Sequence, residues 1–331
     1  MTARQAIAES VTVSRRPEYV PDLPFHAARH RSAPAHDGAV TLAVGGISVR
    51  LFGLEADRVE TLRARYGIFS RAQAPSPDLE IKVSSSELPR FLEVQDRGEH
   101  YRVDTRWEAD TLLACSYEWA GWMDAGRREG GLTLAQEALT SPRGFDRSLE
   151  NFLRVVFSHL IVPRGGFLLH SAGLVRDGRA HMFFGPSGSG KTTVTTLTPE
   201  ATILSDDLTM VVRDAGGSYR ACSVPFRGLF APEATSDATW PIAAFYRLIQ
   251  DTEDRLERVQ GARAVGELVG SLPFVTDRTE IAGLVMDTVA KAAATVPIFR
   301  LHFKKDRTFW QAIDPNVLGV DGFSAPAGIK A

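Results

Sequence analysis

LLHSAGLVRDGRAHMFFGPSGSGKTT, residues 168–193, decides the fold. Asp177-Gly178 is a tight-turn pair between two apolar runs, so FLLHSAGLV and AHMFF read as the arms of a hairpin. The second arm runs straight into GPSGSGKT, which fits the phosphate-loop pattern G-x-x-x-x-G-K-[ST], and TTVTTL then opens a helix. A βαβ nucleotide unit would bring a crossover helix to this strand; here a hairpin does so. Gly185, Gly188 and Gly190 carry no side chains, which lets the backbone wrap closely around phosphate oxygens. Together with Pro186, Ser187, Ser189 and Thr193 they form an anion nest backed by a helix N-terminus. Lys191 is expected to reach the terminal phosphates, and Thr192 to offer its hydroxyl to Mg²⁺.

ATILSDDLTMVV ends an apolar strand at Asp206-Asp207, where a metal partner of the phosphate loop is expected. Adjacent strand residues face opposite ways, so one of the two faces the phosphate, to hold Mg²⁺ or accept a proton. The plainer reading is a strand-end pair that caps a turn. His170 lies across the hairpin from the loop, so antiparallel pairing brings it toward the loop's base. An isolated histidine in an apolar strand is more often a satisfied core residue. Beside a phosphate loop, its imidazole is placed to orient or polarise a phosphoryl group.

The chain has 331 residues, 44% hydrophobic and 24% charged, enough for two domains with real cores. Residues 1–38, rich in Pro, Arg and His, read as a disordered tail. Residues 39–148 read as a small α/β domain: a hairpin about Gly45-Gly46, a helix with Val59, Leu62 and Tyr66 on one face, and further strands. Trp107, Trp119 and Trp122 read as core or interface, because no basic cluster surrounds them. SLENFLRVVFSHLIV is an amphipathic helix that ends at Pro163 and opens the domain assigned to 149–331. Within it, FYRLIQDTEDRLERVQGARAVGELVG reads as helical, with Leu248, Leu256, Val259, Val265, Leu268 and Val269 as buried faces. VPIFRLHFKK reads as a strand.

A net charge of −2 gives no reason to expect nucleic acid as a partner. Cys115 and Cys222 form no metal-ligand pattern, and two thiols suit a reducing cytoplasm better than a disulfide. No apolar run reaches the ~18 residues that span a bilayer, so no membrane partner is expected.

His170, the hairpin-fed phosphate loop and the aspartate pair together resemble the catalytic domain of HPr kinase/phosphorylase and its related kinases. FRG, Phe226–Gly228, is similar to the family's arginine-glycine turn, and VPIFRLHFKKDRTFW to its closing strand. The resemblance spans roughly residues 149–313. It implies an α/β (α+β) fold with an HPr kinase/phosphoenolpyruvate carboxykinase-like P-loop domain behind the small α/β domain. It implies ATP and Mg²⁺ as cofactors, and transfer of the γ-phosphoryl group to a hydroxyl. By position it makes Asp206 the base, places His170 by the γ-phosphate, and gives Lys191 to the transferring phosphate. Thr192, Asp206 and Asp207 become the metal set. It also suggests a homo-oligomer. Where the family has Glu two residues before the arginine-glycine turn, this chain has Pro225, with Glu233 as a speculative substitute. The reverse-activity signature is missing as well. The acceptor is therefore expected to be a peptide, a protein or a small hydroxyl compound other than HPr.

Other classes lack their marks. There is no LSGGQ for an ABC-type ATPase and no N-K-x-D for a GTPase, and DAGG (Asp214–Gly217) reads as a turn. The second reading is an ATP-binding sensor or assembly factor without turnover, favoured by Pro225.

Overall fold

The computed structural model describes residues 36–71, 76–92, 102–226, 237–275 and 279–313. The tail before residue 36, Arg227, Gly228, Glu233 and the residues after 313 lie outside these. The architecture is mixed α/β, built on two large mixed sheets.

The first sheet has eight strands. β1 (Gly38–Val44) and β2 (Ile47–Leu54) form the expected hairpin, turned by Gly45 and Gly46 at φ 57° and 81°. Helix α1 (Ala56–Tyr66) buries Val59, Leu62 and Tyr66. There follow β3 (Ser70–Arg71), β4 (Leu79–Ser85), β5 (Asp104–Glu108), β6 (Thr111–Cys115), β7 (Trp119–Asp124) and β8 (Glu129–Leu134). Their order is β3-β1-β2-β4-β8-β7-β6-β5, with β2–β4 and β4–β8 parallel.

A short α2 (Gln136–Thr140) leads to α3 (Gly144–Ile161). Fourteen residues of α3 are buried, too many for one amphipathic face. The helix is instead clasped on several sides: it meets β2, β7 and β8 of the first sheet and β9 (Phe167–Arg176) of the second. It begins before residue 149 and ties the two sheets together.

The second sheet continues with β10 (Arg179–Phe184), after which α4 (Lys191–Thr196) follows the phosphate loop. Then come β11 (Thr202–Ser205), β12 (Leu208–Arg213), β13 (Tyr219–Cys222), β14 (Thr239–Gln250) and β15 (Arg255–Val259). Helices α5 (Gly261–Val269) and α6 (Thr279–Thr295), strand β16 (Ile298–Phe303) and α7 (Phe309–Ala312) complete it. The order is β10-β9-β12-β13-β14-β16-β15, with β11 beside β9. β10 also pairs with β14, which closes β9, β10, β14, β13 and β12 into a ring. The β9–β10 hairpin is as expected, its turn made by Asp177 and Gly178 at φ 50° and 74°.

Two features differ from expectation. The segment that reads as helical is strand β14, strand β15 and only then helix α5. β14 is central, flanked by β10 and β16, so both its faces are buried and its apolar run loses the alternation that marks a strand. The phosphate-loop strand also has a parallel neighbour after all, on its β14 edge. β10, β14 and β16 run the same way; β14 and β16 finish together at Gln250 and Phe303, three residues beyond Arg247, the partner of Phe184 at the end of β10.

Cys115 and Cys222 are buried free thiols. Trp119 is fully buried, and among the described residues no helix is long and apolar enough to cross a membrane. The first sheet and α3 meet where the Trp119 and Phe152 rings pack 5.5 Å apart. Gly121 makes room for them: a Cβ there would stand 2.4 Å from the Phe152 ring. Phe152→Ala should lower unfolding free energy by about 3–5 kcal/mol in a urea titration. Gly121→Ala should also destabilise, by overpacking the same contact.

Candidate phosphate-binding site

β10 delivers Phe184 to the loop in extended form, and three glycines then bend the chain, Gly185, Gly188 and Gly190 at φ 151°, 77° and 116°. Gly190 is doubly constrained, since a Cβ there would lie 2.4 Å from Phe303 Cζ. Pro186, Ser187 and Gly188 form the exposed apex, while Thr192 and Thr193 are half-buried. Gln250, at the end of β14, donates from Nε2 to the Gly188 carbonyl at 2.5 Å.

Lys191 is folded onto its own loop. Its Nζ donates to the carbonyls of Gly185 at 2.8 Å and Pro186 at 3.1 Å. Burial pushes the Lys191 pKa down to about 8, against the opposing pull of Asp207. Ser189 Oγ is buried and has no hydrogen-bond partner among the described residues. A nest of positive-φ backbone, an ammonium parked on carbonyls and an orphan hydroxyl together fit a phosphate group.

The aspartate pair lies in a bend between β11 and β12. Ser205 Oγ shapes it by accepting the N–H groups of Asp207 and Leu208, both at 3.1 Å. Asp206 is buried. Asp207 is the member that meets the other expected residues: its Oδ1 lies 3.1 Å from His170 Nδ1, and its charge acts on Lys191. Its Oδ2 lies 3.0 Å from Arg154 Nη1. Burial alone would raise the Asp207 pKa. The charge of Arg154, the His170 hydrogen bond and Lys191 outweigh it and hold the carboxyl well below the usual range. The structure therefore brings His170 and Asp207 into contact, with Lys191 within range of the Asp207 charge.

Arg154 was not singled out from the sequence, and it anchors a longer chain of charges. It bonds Glu150 at 2.9 Å; Glu150 meets Arg65 of α1 at 2.8 Å; Arg65 reaches Asp146 at 3.3 Å. The signal was present: Asp146, Glu150 and Arg154 recur every fourth residue along the helix, the spacing that lines charges on one face. Among the described residues no group of three or more His, Cys, Asp or Glu converges on a metal position. Pro225 is buried and supplies no carboxylate.

A family model described as SynChlorMet cassette protein ScmC matches residues 147–319, more than half of the chain. The chain belongs to the ScmC family. A comparison with the curated proteins returns no match. The ScmC match overturns the assignment to the HPr kinase-related family, and with it the expectation of a phosphotransferase, since no kinase family matches. The catalytic roles given to Asp206, His170 and Lys191 fall with that expectation. The likeness rested on residues that any phosphate site of this shape would employ.

Asp207→Ala should remove about 3 kcal/mol of stability, because it deprives buried Arg154 of one of its two carboxylates. Chemical denaturation would show it. Asp207→Ala paired with Arg154→Met should recover part of the loss, because no unpaired charge is then left.

Proposed function

We propose that this ScmC-family chain is an ATP-binding sensor or assembly factor. Lys191 carries the proposal: its Nζ, among three positive-φ glycines, rests on carbonyls that a phosphate would replace. When a nucleotide enters, the loop N–H groups and Lys191 would take the phosphate oxygens. Thr192 would offer its hydroxyl to an accompanying Mg²⁺, which would neutralise phosphate charge. The second sheet would then form a P-loop domain behind a small α/β domain built on the first, with α3 packed between them; the β9–β10 hairpin that feeds the loop supports the P-loop part of this reading. Two buried free thiols suit a cytoplasmic setting.

The sensor role is supported by the charged chain. Asp207 feels Lys191, and through Arg154 and Glu150 it is linked to Arg65 on the helix of the other sheet. A phosphate that draws on Lys191 changes the field at Asp207. The ion pairs offer that change a path to α1.

Titrating the full chain with a fluorescent ATP analogue and Mg²⁺ tests the proposal. Lys191→Met should weaken binding by about tenfold or more. The sign of the pH dependence follows from Lys191. In the free protein it is charged below about pH 8 and loses its proton above that. Wild-type affinity should be greatest below pH 8 and fall above it, by at most about tenfold per pH unit. Lys191→Met should not show this fall. Absence of ATP binding by the wild type would falsify the proposal.

A further inference from the structure

The register of β14 against the phosphate-loop strand sets Arg247 opposite Phe184, the residue before Gly185. Paired strands lie about 4.8 Å apart, so the Arg247 backbone sits one strand spacing from the start of the loop. Residues in register on parallel strands share a face. Met182 and Phe245, two residues earlier, lie in one buried cluster, so Phe184 and Arg247 look the same way. The next strand, β16, sets Arg300 in register with Arg247.

Two arginines side by side on one face repel, yet they are treated differently. Arg300 is neutralised: its Nε and Nη2 donate to Glu267 Oε1 at 2.8 and 2.5 Å, and Glu257 lies 3.9 Å from Nη1. Arg247 is half-buried and makes no hydrogen bond or ion pair with any described residue. Its guanidinium keeps its donors for an anion from outside the chain. The strand that carries it is fastened to the loop three residues on, where Gln250 bonds Gly188.

We infer that Arg247 is a second phosphate-binding cation, meeting the terminal phosphate of a nucleoside triphosphate from the β14 side while Lys191 meets the phosphates from within the loop. This rests on the nucleotide reading above and deepens it. A cation placed for the terminal phosphate separates triphosphate from diphosphate, whereas the loop itself grips both.

Competition of ATP and of ADP against a fluorescent analogue, with Mg²⁺ and the full chain, tests Arg247→Gln and Arg247→Lys beside the wild type. The wild type should prefer ATP. Arg247→Gln should lose about tenfold or more in ATP affinity while ADP affinity stays within about twofold, and Arg247→Lys should recover part. Thermal unfolding of both variants should match the wild type, since Arg247 has no described partner to lose. An ATP-to-ADP ratio unchanged in Arg247→Gln overturns the role of Arg247 and leaves nucleotide binding standing. A wild type that binds neither nucleotide overturns the nucleotide reading, and this inference with it.

Discussion

The structure turns on a guanidinium held between two carboxylates. Arg154 lies on a helix whose surroundings are mostly apolar, and it is paired with Glu150 on one side and Asp207 on the other. A lone charge in that position would be very costly, so its partners are fixed in place by what their loss would expose. The pairing holds α3 against the Asp206-Asp207 bend at the start of β12. The ring of Phe226 lies 5.9 Å under the same guanidinium and adds a cation–π contact to this anchorage. Because α3 also packs on the first sheet, one helix sets the positions of both sheets relative to the phosphate site.

The loop is shaped before any ligand arrives. Its bends are set by glycines, its apex is tied to β14 through Gln250, and Phe303 leaves no space for a side chain at position 190. Such preorganisation reduces the ordering cost of binding. The lysine is the part that must move. Its two carbonyl contacts leave one of its three donors over, and burial presses its pKa down. A phosphate would restore what burial has taken from it.

Local chemistry was legible in the sequence wherever it lay within a few residues. The Asp177-Gly178 turn, the glycine bends at 185, 188 and 190, α3 and the β1–β2 hairpin follow from short-range pattern. β14 was misread because a central strand with two buried faces has no period of two, and LIQDTEDRL spaces its apolar residues as a helix would. The site was half legible. His170, Lys191 and Asp207 were all expected there; His170 and Asp207 meet, and Lys191 feels the Asp207 charge. Arg154 and Arg247 were not, because each depends on a tertiary neighbour that lies far away in the chain: Asp207 for the first, Phe184 for the second. The family was misjudged for a related reason. A histidine, a glycine loop and an aspartate pair report what a phosphate needs nearby, and unrelated uses of phosphate share that need.

Asp207 is best understood as the internal counter-ion of this site. Arg154, His170 and Lys191 all act on it, and together they keep it ionised despite its burial. A carboxylate so surrounded stands in part where a phosphate's charge would be felt, and balances the cations while none is there. An incoming anion then has to compete for Lys191 but finds Arg247 unclaimed, since Glu267 and Glu257 are committed to Arg300. The two flanks of the loop are therefore unequal. The β9 flank is internally balanced and connected through Arg154 to the rest of the molecule, whereas the β14 flank carries an uncompensated charge. On the proposed reading the β14 flank would provide attraction for a nucleotide, and the β9 flank would register its arrival.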